Sequence, residues 1–84
     1  MKNRYEVEVR AQCPVVPEDT DLYQFTIESE SIIEVEKITA FIAEYAGKKN
    51  IFQEDLTRKC AVTLGAKVTS SGWHGNVKIT CVAP

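Results

Sequence analysis

Between Tyr5 and Cys13 the odd positions are Tyr, Val, Val, Ala and Cys, and the even positions are Glu, Glu, Arg and Gln. Strict alternation of this kind suits a β-strand with one face buried and the other in water. Pro14 and Pro17 cannot donate to a ladder and end the strand, and Glu18 to Asp21 make a polar turn. Alternation then resumes from Leu22 to Glu28, with Tyr23, Phe25 and Ile27 on one face. The two strands are expected to pair antiparallel.

The period changes after Ser31. Ser31 with Glu34 three residues on makes an N-terminal capping pair, and Val35, Ile38, Phe41, Ile42 and Tyr45 fall on one helical stripe before Gly47, which predicts a helix over about 32–46. Asn50 is placed to cap a second helix in which Phe52, Leu56, Cys60 and Leu64 recur every four residues, with Gly65 just past its end. Two more strands are predicted at Ala66 to Thr69 and Val77 to Val82, with the small polar run Ser70-Ser71-Gly72-Trp73-His74-Gly75-Asn76 as the hairpin tip between them. The expected architecture is α+β: a single domain over 1–84 of order ββααββ, with an antiparallel four-stranded sheet and both helices on one face. A chain of 84 residues buries only about 60 to 65% of its unfolded surface. The other sheet face and the sheet edges are left for copies of the same chain, and closure into a barrel across subunits would cover both.

Hydrophobic residues make up 44% of the chain and charged ones 26%, with a formal charge of −2, so there is no global attraction to nucleic acid or anionic membrane. Lys48, Lys49, Arg58 and Lys59 form the only local basic group that could meet phosphates. Met1 to Arg4 lead straight into the first strand with no apolar stretch of a signal peptide or membrane span, so a cytoplasmic location is expected. The cysteines at 13, 60 and 81 are odd in number, lack C-x-x-C spacing and are accompanied by one histidine. That pattern signals neither a disulfide framework nor a zinc site. Cys60 lies on the apolar stripe of the second helix and Cys81 shares parity with Val77 and Ile79, which assigns both to the core.

The segment order resembles the tunnelling fold of pterin and deazaguanine enzymes, whose subunits assemble into barrels and bind purine-like ligands between subunits. Within it, the residues from Glu6 to about Ile79 look most similar to the 7-cyano-7-deazaguanine reductases and their shorter archaeosine-forming amidinotransferase relatives. The family nucleophile sits in a Cys-Pro that ends a strand and is followed by an Asp; here Cys13-Pro14 precedes Asp21-Leu22-Tyr23, with Asp19 nearby. The family's Phe-His-Glu-Asp at the start of the second helix corresponds to Phe52-Gln53-Glu54-Asp55, so the glutamate carries over and the histidine does not. The Thr-Gly-Gln that follows Cys-Pro in the reductases is absent. Their NADPH-holding signature survives only as Glu36-Lys37-Ile38-Thr39, so the resemblance implies no nicotinamide cofactor and favours the amidine-forming branch.

The resemblance implies that the Cys13 thiolate adds to a nitrile to form a thioimide, with Asp21, or Asp19, carrying the proton. Glu54 would accept the adjacent ring N–H and amine of a purine-like base, free or in tRNA, with Gln53 and His74 as further ligand contacts. Bland readings stand beside these. Parity alone makes Cys13 a small buried hydrophobe, Asp19 and Asp21 suit a turn, and Glu54 and Asp55 favour a helix dipole. His74 beside Trp73 could be an exposed turn. The rival functions are a non-catalytic purine or pterin binder that keeps Glu54, and a structural oligomeric module.

Overall fold

The computed structural model describes residues 1–12, 20–45 and 51–84, with only the backbone at Gln12 and Thr20. The elements follow in the order β1 (Asn3–Gln12), β2 (Thr20–Ser29), α1 (Val35–Tyr45), α2 (Gln53–Leu64), β3 (Lys67–His74) and β4 (Val77–Ala83). The four strands form one antiparallel sheet whose spatial order is their chain order. Three inward rows run across it: Tyr5–Ile27–Val68–Ala83, Val7–Phe25–Ser70–Cys81 and Val9–Tyr23–Gly72–Ile79. Tyr23, Phe25, Ile27 and Val68 in these rows are almost wholly buried, together with Ile38 and Phe41 of α1 and Leu56 and Cys60 of α2. Each large apolar side chain so enclosed contributes about 1.5–3 kcal/mol. Both helices therefore lie on one face, while the other, carrying Glu6, Glu8, Arg10, Gln24 and Thr80, is exposed.

The first helix begins three residues later than the Ser31–Glu34 pattern predicts. The segment ahead of it is tied to β1 and β2. The Ile33 N–H donates to the Tyr5 hydroxyl at 3.1 Å, the Ser31 N–H to Ser29 Oγ at 3.0 Å, and Asn3 Nδ2 to the Ser31 carbonyl at 3.5 Å. Backbone groups spent this way cannot open a helix, whose first turn forms only where the Lys37 N–H reaches the Glu34 carbonyl at 3.0 Å. Gly47 and Asn50 lie outside the described residues, but Phe52, not Asn50, holds the cap position of α2, with no side-chain cap. Glu54 and Asp55 in the first turn complement the dipole instead. At its other end Gly65 takes the left-handed conformation expected of it, φ 61°.

The third strand is twice as long as predicted. Ser70 to His74 continue β3, and the hairpin turn is only Gly75-Asn76, between the paired residues His74 and Val77. Positive φ occurs at Gly75 alone of the two, which matches a II′ turn. Gly72, read as a turn residue, is required inside the strand: a Cβ there would run into the Tyr23 ring opposite. Glycine in a strand commonly marks such a close approach.

Candidate functional site

The inward stripe of α2 is not 52-56-60-64. A four-residue step advances about 40° beyond a full turn, so a repeat of four drifts around the helix. Gln53, Leu56, Thr57, Cys60 and Ala61 are buried, while Phe52 is half exposed. This puts two polar side chains, Gln53 and Thr57, beneath the first turn of α2 and against Ser70, the third buried polar residue. Burying such groups is costly unless they are paired. Here they are: Gln53 Nε2 donates to Ser70 Oγ and to the Ile79 carbonyl, each at 3.1 Å. The Thr57 hydroxyl donates to the Gln53 carbonyl at 2.6 Å and lies 2.6 Å from Ser70 Oγ. No buried side-chain polar atom lacks a partner among the described residues.

The network extends to the end of the sheet. His74 Nε2 is 3.1 Å from Gln53 Oε1, and its Nδ1 is 4.0 Å from Asp21 Oδ2. The Tyr23 hydroxyl donates to that same oxygen at 3.2 Å, and the Tyr23 and His74 rings lie 5.9 Å apart. His74 is thus part of the helix-side layer and not an exposed turn. Trp73 points to the bare face, so the two are not a pair; strand alternation separates them. Asp21 stands opposite Ala11, and Gln12, the residue before Cys13, pairs with Thr20. Cys13 and Asp19 lie outside the described residues.

Glu54 is exposed and lines an open groove of about 1070 Å³ between α2, the β4 edge and residues 28–31. Thr57, Arg58 and Cys81 also border it; Asp21 does not. Cys81 is half-buried at the groove wall. Burial first, and then the Glu54 charge, raise its thiol pKa, against a hydrogen bond to Ser70 that lowers it. Burial alone pushes Cys60 up to about 12, an inert core thiol. Of the basic residues, Arg58 is bound to Asp55 at 3.0 Å, and Lys48 and Lys49 lie outside the described residues. Among the described residues no group of three or more His, Cys, Asp or Glu could hold a metal ion, and no helix is long and apolar enough to cross a membrane.

Tyr23, Thr57 and Ser70 were not singled out by sequence. The signal for Thr57 was present: it stands four residues after Gln53, between Leu56 and Cys60, on a correctly drawn 3.6-residue stripe.

The ββααββ order, the four-stranded antiparallel sheet and the helices packed on one side define a tunnelling-fold unit. Among solved structures, the chain is similar to one described as the crystal structure of the archaeosine synthase QueF-Like in the apo form. The TM-score is 0.79 at 20% identity, over 98% of this chain and 90% of that one, a likeness that establishes the fold. No protein-family model and no curated sequence matches the chain.

Proposed function

We propose that the protein is a thiol-dependent enzyme acting on the nitrile of a 7-cyano-7-deazaguanine, free or in tRNA, and forming an amidine rather than an amine. The observation that carries this is the register of β1 and β2, which sets Asp21 across from Ala11, two residues before Cys13, with Tyr23 and His74 around its carboxylate. The fold shared with an archaeosine synthase supports it. Cys13 is the nucleophile, and Asp21, with Asp19 as the alternative, moves the proton between sulfur and nitrogen. Glu54, held in the first turn of α2, accepts the ring N–H and exocyclic amine of the base as a bidentate pair. Gln53 and His74 sit behind this contact surface, since the Gln53 amide is buried and fully engaged.

Asp21 does not line the groove bordered by Glu54, so this reading sets the site that uses both between two copies of the chain. A homo-oligomer with sites between subunits meets that need and also covers the free sheet edges. No step needs a nicotinamide, and the reaction leaves no net oxidation. The same separation of Asp21 from Glu54 favours the second reading, a non-catalytic purine or pterin binder that uses Glu54 alone.

The test is the intact mass of the protein after incubation with 7-cyano-7-deazaguanine, followed by peptide mapping. A stoichiometric adduct on Cys13, absent in a folded Cys13→Ala variant, is the expected result. Thermal protection by the ligand without an adduct would support the binder, and neither effect would sink both.

A further inference from the structure

Tyr23 and Gly72 are paired between β2 and β3, so the next residues toward the hairpin end, Leu22 and Trp73, stand side by side on the face that neither helix covers. Arg10 lies opposite Leu22 on β1, and Lys78 opposite Trp73 on β4. The row therefore runs cation, aliphatic, aromatic, cation across all four strands. Trp73 is 62% exposed and Leu22 44%. Tryptophan is largely covered in most folded proteins, so a ring left this open on a polar sheet face calls for an occupant. The adjoining row, Glu8, Gln24, Ser71 and Thr80 in register, is wholly polar.

Glu8, Leu22, Gln24, Ser71, Trp73 and Lys78 border one shallow cavity of about 200 Å³. Beneath the helices each buried polar side chain has a partner. Here no hydrogen bond or ion pair among the described residues engages the side chains of Glu8, Gln24, Ser71 or Lys78. A ligand that satisfies this set needs a flat π face for Trp73 and Leu22 and a negative group for Lys78. It also needs adjacent N–H donors for Glu8, which as a carboxylate only accepts. A guanine nucleotide has all three, because its ring N–H and exocyclic amine sit side by side on one edge. Adenine, cytosine and uracil present no such pair.

The shape of the site decides between a free nucleotide and a strand. Cavities that enclose a small molecule are commonly about 300–1,000 Å³, and this one is too shallow to cover both sides of a base. Arg10, at the far end of the row from Lys78, gives a second cation on the other side of the aromatic platform. A strand, with a phosphate on each side of the stacked base, uses both cations, and its open base face continues the stack. Resting on the function proposed above only for the choice of RNA over DNA, we infer that this face binds single-stranded RNA. One guanine stacks on Trp73 with its donor edge on Glu8, and its flanking phosphates meet Lys78 and Arg10. Glu54 is carried by α2 on the other side of the sheet, so this site holds RNA without touching the reacting base.

The chain has a single tryptophan, so intrinsic fluorescence reports Trp73 alone. Titrating the full chain at low salt with a short uridine RNA carrying one guanine is expected to quench that fluorescence saturably, and all-uridine RNA to bind about tenfold more weakly. By anisotropy of end-labelled RNA, Trp73→Leu should lose about tenfold in affinity. Lys78→Ala should lose about threefold and make binding less steeply dependent on salt. Glu8→Gln should keep the binding of all-uridine RNA and lose the preference for guanine. The three side chains are exposed, and these variants are expected to fold. No saturable quenching in the wild type, or unchanged RNA binding by Trp73→Leu, overturns the inference. So does a changed subunit number in Trp73→Leu with RNA bound by neither protein, which would give the face to a second copy of the chain. Adduct formation with free 7-cyano-7-deazaguanine is read separately and should be the same in Trp73→Leu as in the wild type. RNA binding without an adduct upholds this site and sinks the enzymatic reading, whereas an adduct without RNA binding does the reverse.

Discussion

The two halves of the helix-covered layer are built on opposite terms. Over β1 and β2, α1 contributes Ile38 and Phe41, with the Phe41 and Tyr45 rings 4.9 Å apart, and the Tyr5 hydroxyl receives the Ile33 N–H. Over β3 and β4, α2 buries Gln53 and Thr57 on Ser70 beside Leu56 and Cys60. Apolar contacts are non-directional and tolerate small shifts, whereas a buried amide is stable only if each partner is in place. The α1 half therefore supplies cohesion and the α2 half supplies geometry, and it is the second that reaches Asp21.

The largest effect should come from the apolar half. Phe41→Ala removes a ring that is almost fully buried and is expected to cost about 3–5 kcal/mol, read by chemical denaturation. A loss under 1 kcal/mol would mean that α1 is not a structural element of the same rank as the sheet. Gln53→Leu keeps similar bulk but strands the Ile79 carbonyl and leaves His74 Nε2 without its amide partner, with an expected cost of about 1–3 kcal/mol. Adding Ser70→Ala to it should return part of that loss, with a coupling of about 0.5–3 kcal/mol in the double-mutant cycle. Strict additivity would show that the cluster is not one network.

How much of this contrast the sequence carried differs between the halves for a physical reason. Alternation in β1 and β2 and the apolar spacing of α1 report burial directly, apart from Val35, which opens the helix and is exposed, so those elements were legible to within a few residues. Beneath α2, burial depends on partners that are distant in sequence: Gln53 on Ser70 and Ile79, His74 on Gln53 and Asp21. A run of Ser, Gly and His is the composition of a turn, and only the Tyr23 ring opposite Gly72 reveals why it is a strand. Glu54 was placed in the first turn of its helix by sequence alone, but the groove it borders depends on β4 and on residues 28–31.

Cys60 tests whether the α2 half is dry below its polar rim. Its thiol pKa is raised from 9.0 to about 12 by burial, so below pH 9 both folded and unfolded chains keep the proton and the thiol adds no pH dependence. Between pH 9 and about 12 the unfolded chain releases the proton while the folded one holds it. Stability should fall there by about 1.4 kcal/mol per pH unit from this group. The difference in slope between the wild type and Cys60→Ala, measured by denaturation at several pH values above 9, isolates the effect. Equal slopes would mean that solvent reaches the thiol.

The smallest effect is expected on the face that neither helix covers. Arg4 and Glu28 are paired across β1 and β2 with their charged groups 3.9 Å apart, a polar contact longer than those the Gln53 side chain makes and exposed to solvent at Arg4. Water and salt screen such a pair, and Arg4→Ala should change stability by about 0–1 kcal/mol, diminishing further at high ionic strength. Set against Gln53→Leu, it asks whether polar contacts matter here by number or by enclosure. If Arg4→Ala proved as costly as Gln53→Leu, and the cost persisted in salt, the Arg4 side of the sheet would have to be covered in solution, as assembly with further copies of the chain would cover it.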